Sequence, residues 1–79
     1  MTPSLESAKY LSEYKIQVQF SDGFEGVIDL KNELWGEVFE PLQDINIFRA
    51  FEVDPELSTI VWSTGADLAP EFLYQRATA

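Results

Sequence analysis

No cysteine and no histidine occur anywhere in the 79 residues. The first absence removes disulfides, thiol nucleophiles and thiolate metal sites. The second removes the commonest general base near neutral pH and the commonest metal ligand. Together they exclude Ser-His-Asp and Cys-His nucleophilic sites, and zinc held by His or Cys, within one chain. Cations are scarce too: 5 Lys and Arg face 14 Asp and Glu, a formal net charge of −9. Nucleic-acid affinity rests on cationic contacts to phosphate, so direct binding of DNA or RNA is not expected, nor is binding to an anionic membrane. If charge selects a partner, it selects a basic one; the simpler reading is that it keeps the chain soluble. The four glycines, at positions 23, 26, 36 and 65, fall in no phosphate-loop or dinucleotide pattern, and no cofactor is expected. No apolar run approaches the roughly 20 residues that span a bilayer, and the first six residues lack the basic and apolar regions of a signal peptide. A cytoplasmic protein is expected.

What the chain has in quantity is aromatic side chains: six Phe, three Tyr and two Trp. Two readings are open. Aromatics are enriched at interfaces, which would make the chain self-associating, a homo-oligomer; equally, they can fill a small core. The length suits one small domain, residues 1–79, with an ordered core from about 8 to 76.

Periodicity then orders the chain. Ala8–Ser12, with Tyr10 and Leu11, predicts a short first strand. Tyr14, Ile16, Val18 and Phe20 alternate with Lys15, Gln17 and Gln19, the period of a strand with one dry face. Asp22-Gly23 marks a hairpin turn, and the return strand runs from Phe24 to Leu30 with Phe24, Gly26, Ile28 and Leu30 on one side. Asp29 is placed to cap a short helix over Leu30–Trp35 that stops at Gly36. A connector from Glu37 to Asp44 tucks in Phe39 and Leu42. Phe48–Val53 and Thr59–Ser63 read as a second hairpin around Asp54-Pro55-Glu56-Leu57-Ser58, with Ile60 and Trp62 on one face. A last helix starts near Pro70, where Pro and Glu71 suit a helix entry, and Gln75–Ala79 reads as a frayed tail. The expected fold is therefore α+β: two antiparallel β-hairpins with two short helices, the second at the C-terminus.

The aspartates at 22, 29, 44, 54 and 67 all fall at turns or helix entries, where local capping explains them; nothing in their spacing points to acid–base chemistry, and no metal or catalytic residue is assigned. Four residues are candidates for interaction or ligand contact: Trp35, Trp62, Asp67 and Tyr74. Trp62 is read first as core, with its indole N–H on a carbonyl. Trp35, at a helix end beside Gly36, is the better exposed anchor. Asp67 either ties Gly65-Ala66 to the start of the last helix, the preferred reading, or offers a polar contact in a groove beside Trp62.

These residues also form a set. An alternating strand ends in Phe20-x-Asp22-Gly23, followed by Gly26, Asp29-Leu30, Pro41-Leu42-x-Asp44 and Phe48. Trp62-x-x-Gly65-Ala66-Asp67-Leu68-x-Pro70-Glu71-x-Leu73-Tyr74 closes it. From about Tyr10 to Tyr74 the chain resembles the bacterial domain-of-unknown-function 2442 family, differing at Ser63, where that family often has Pro. The resemblance implies a compact α+β fold, like the N-terminal domain of bacterial proteins with a helix-turn-helix downstream, a second domain not expected here. It also implies frequent pairing with a small toxin-like neighbour, and it brings no catalytic residues. The expected function is a non-enzymatic protein-interaction module, self-associating or an antitoxin-like partner of a small basic protein. The alternative is a small-ligand domain with a pocket near Trp62, Asp67 and Tyr74.

Overall fold

A computed structural model describes residues 3–78. Strands β1 (Leu5–Ser12), β2 (Lys15–Phe20) and β3 (Glu25–Asp29) form an antiparallel meander in the order β1-β2-β3. The predicted alternation sets the register: Ile16 lies opposite Ile28 and Val18 opposite Gly26, and Ile16, Val18, Phe20 and Ile28 are buried. Gly23 turns the β2–β3 hairpin at φ +87°, a region that glycine enters without steric cost. The other face is wet, and Val27 on it is half exposed. The first strand starts three residues earlier than the periodicity suggests, because Leu5 joins the core and its N–H reaches the Ser58 carbonyl.

The expected helix over Leu30–Trp35 is only a 3-10 turn, Lys31–Glu33. The Leu30 N–H is given to the Tyr14 carbonyl at 2.9 Å, which extends the hairpin ladder one residue past β3. Asp29 accepts the N–H of Lys31 at 3.0 Å, which closes a local turn rather than a helix cap. A second 3-10 turn, Glu40–Gln43, buries Leu42.

The second hairpin pairs β4 (Glu52–Asp54) with β5 (Thr59–Val61). Its first strand was expected from Phe48, but Ile45–Phe48 forms a helical turn, α1. Asp44 caps it by accepting the Asn46 N–H at 2.9 Å. The irregular apolar spacing over Phe48–Val53 thus spans the end of a helical turn and the start of a strand.

After β5 the chain folds back on itself. Gly65, at φ +96°, lets Trp62 donate its N–H to the Ala66 carbonyl at 2.9 Å, and Asp67 pairs with Val61 across an isolated bridge. Helix α2 (Pro70–Thr78) follows and packs on β3. The expected tail from Gln75 is helical through Thr78; Ala79 lies outside the described residues. Ala77 packs so close to Gly26 that a β-carbon there would sit 2.9 Å from the Ala77 carbonyl oxygen. Every aromatic side chain except Trp35 lies in this core or packs against it, several of them only partly buried. The architecture is the expected α+β one.

Candidate functional site

The connector between the two hairpins is pinned from below. Leu34 and Leu42 are buried. The Tyr14 hydroxyl donates to the Gln43 carbonyl, and the Gln43 side-chain amide donates to the Leu34 carbonyl at 2.7 Å. Gly36 turns at φ +89°, and its carbonyl accepts the Glu40 N–H at 2.8 Å. Trp35 sits between a side chain that must point in and a glycine turn, and so it points out, with 72% of its surface exposed. Val38, one residue past Glu37, is 52% exposed.

Opposite this connector stands the segment that leads into α2. Between them runs an open groove of about 550 Å³. Phe39, Leu68 and Phe72, all half buried and packed on the core, form its apolar base, and Trp35 and Val38 form one side. Its charged lining residues are Glu33, Glu37 and Asp67, all acidic. Arg76 lies just outside, paired with Glu33, its guanidinium 5.0 Å from the Phe72 ring centre.

The aspartates separate into two groups. Asp22, Asp29, Asp44 and Asp54 each accept the backbone N–H two residues on, at 2.8–3.0 Å, the local role expected of them. Asp67 does not: its exposed carboxylate makes no hydrogen bond among the described residues and lines the groove. The expected tie from Asp67 to the helix entry is therefore absent. Its backbone is held extended by the bridge to Val61, and the helix begins three residues later at Pro70, which has no N–H to offer. The Thr59 hydroxyl holds this segment instead, through the Leu68 carbonyl.

Trp62, Asp67 and Tyr74 do not share a pocket. Trp62 is core, 5% exposed, its indole N–H donated to the Phe48 carbonyl at 2.8 Å. Tyr74 faces the first hairpin, stacked edge-on against Phe20, and gives its hydroxyl to Asp22 at 2.7 Å. That hydrogen bond, followed by the one from the Phe24 N–H, holds the Asp22 carboxyl below the usual carboxylate range; the same bond to Asp22, then partial desolvation, raises the Tyr74 hydroxyl. The pair latches α2 to the β2–β3 turn. What the fold does bring together is Asp67 and Trp35, from opposite sides of the groove, with Phe72 between them. Val38 and Phe72 escaped the sequence reading as site residues. The available signal was Val38-Phe39, an apolar pair between Glu37 and Glu40 shortly after Trp35-Gly36.

Among the described residues no three acidic side chains converge as a metal-ligand set, and no helix is long and apolar enough to cross a membrane. No curated protein and no solved structure matches the chain. The family model described as "Protein of unknown function (DUF2442)" matches residues 5–79. That span runs from the first core residue, Leu5, through both hairpins and the groove to the last helix, and the chain belongs to the DUF2442 family.

Proposed function

We propose that this chain is a non-enzymatic interaction module that holds a basic, apolar-anchored segment of another protein in the Trp35 groove. The observation that carries this reading is Trp35, 72% exposed on an apolar groove whose charged lining is acidic. A tryptophan gains most when a partner removes it from water, and such residues dominate interface energies. The surrounding carboxylates favour a cationic partner and speed its approach. A second copy suits this face less, since it brings nine further negative charges; self-association would use another surface. An antitoxin-like role toward a small basic protein in the cytoplasm is the concrete form this activity takes.

The test is capture from the host cell with the tagged full chain and with its Trp35→Ala variant, at low and moderate salt. A stoichiometric basic protein that is lost with Trp35→Ala and weakened by salt supports the reading. Equal recovery by both chains, or recovery of no partner, contradicts it. Light scattering on the eluate reads self-association separately.

The groove's volume, about 550 Å³, and its apolar lining also fall in the range of small-ligand sites. On that second reading a neutral or cationic apolar compound would fill it, and calorimetric titration of the free chain would show saturable binding abolished by Phe72→Ser.

A further inference from the structure

The groove does not stand alone. It shares Glu37 with a hollow of about 440 Å³ at Glu40 and Pro41. It also shares Asp67, Leu68 and Ala69 with a hollow of about 270 Å³ beside Leu57 and Pro70. Taken together as a trough, these three hollows, adjoining through the shared residues, alternate in their chemistry. Glu37 and Glu40 come first, then the apolar groove of Trp35 and Phe72, then the Asp67 carboxylate on the divide, then Leu57, which is 54% exposed.

We propose that this trough takes an extended segment of another polypeptide whose basic and apolar side chains alternate along one face; the proposal rests on the interaction reading above. In an extended chain every second side chain points the same way, about 7 Å apart. Such a chain would set a cation at Glu37 and Glu40, an apolar side chain in the groove, a second cation on Asp67 and a second apolar side chain beside Leu57. The molecule's longest extent is 31 Å, which limits the seated stretch to about nine extended residues. A compact ligand would use one hollow and leave the other two. Asp67 distinguishes the trough from a merely acidic surface: the other four turn aspartates spend their carboxylates on their own backbone, whereas this one is left to solvent on the divide between two apolar hollows. A second copy is the wrong occupant on charge, because it carries only 5 cations against 14 acidic groups.

The test uses the full chain, labelled with nitrogen-15, and two capped nine-residue peptides of identical composition. One is Gly-Lys-Gly-Leu-Gly-Lys-Gly-Leu-Gly; the other, Gly-Leu-Gly-Leu-Gly-Lys-Gly-Lys-Gly, breaks the alternation. The alternating peptide should shift the amides of Glu37, Phe72, Asp67 and Leu57 together, and should bind more tightly than the reordered one. Asp67→Asn should weaken it by about two- to fivefold, as for an exposed ion pair. Leu57→Ser should weaken it by about tenfold, as for one apolar anchor, and should abolish the shift at Leu68 less than that at Thr59. Both positions are exposed, so unchanged spectra elsewhere confirm an intact fold. If shifts stay within the Trp35 groove and neither variant matters, the trough is overturned while the groove reading stands. Equal binding of the two peptides also overturns the trough. If neither peptide touches the groove, and capture from the host cell does not depend on Trp35, both readings fall.

Discussion

Trp62 and Trp35 show how much the neighbouring backbone decides the fate of one side-chain type. Trp62 lies on the dry face of β5's continuation and finds the Phe48 carbonyl, with Phe48 and Phe51 rings about it. Replacing it with Ala should cost about 3–5 kcal/mol of stability, the usual range for a large buried aromatic. Trp35→Ala should change stability by no more than about 0.5 kcal/mol, and urea unfolding of the two variants measures both. The sequence already suggested this division, because Trp62 follows Ile60 with the period of a strand while Trp35 abuts Gly36. Asp67 was not legible in the same way. A helix-entry aspartate usually caps, and only the pairing of its backbone with Val61 in space turns it outward. The Asp22–Tyr74 latch gives a pH prediction. A carboxyl held below its ordinary value stabilises the fold above the ordinary carboxylate range, and that contribution is lost as pH falls through the lowered value. The raised Tyr74 hydroxyl stabilises below about pH 10 and loses its contribution as pH rises through the raised value. In Tyr74→Phe the Asp22 carboxyl should titrate closer to an ordinary aspartate, still lowered by the Phe24 N–H, and NMR titration of the carboxyl carbon would record it.

At the scale of elements, the docking of α2 on the meander determines whether the groove exists, because Phe72 belongs to that helix and Leu68 leads into it. The contact is closest at Gly26, where an added methyl meets the Ala77 carbonyl oxygen at 2.9 Å and the Ala77 β-carbon at 3.1 Å. Gly26→Ala should therefore push the helix off the sheet at a cost of about 1–3 kcal/mol. Hydrogen exchange should show α2 amides losing protection before those of β2. The β2–β3 hairpin was readable from the sequence, since a strict period of two followed by Asp22-Gly23 admits few alternatives; the pairing of β1 on β2 was not, because Ala8–Ser12 shows no such strict alternation. The middle of the chain was not. Between Leu30 and Phe51 the elements are single turns, each too short for a helical period to repeat, and they are fixed by long-range bonds such as Tyr14 to the Gln43 carbonyl. No window of the local sequence contains both partners of that bond.

For the whole molecule, the acidic excess and the exposed tryptophan meet at one place. Much of the charge lies on solvated turns, where it serves the backbone or solubility, but Glu33, Glu37 and Asp67 line an apolar groove opened by Trp35. Binding there should weaken as salt rises, because partly exposed charges are screened over about 8–10 Å at ordinary ionic strength. The aromatic count alone pointed equally to a sticky surface; the fold spends all but one of those rings on its core, which leaves the groove as the feature to test. The most direct test places a photo-crosslinking amino acid at position 38 of the full chain in the host cell, beside an intact Trp35 on the same groove, with a control at position 27. Val27 is half exposed like Val38, but on the open face of the meander. The account predicts that light joins position 38, and not position 27, to one basic protein. No adduct at 38, or the same adducts at both positions, would contradict it.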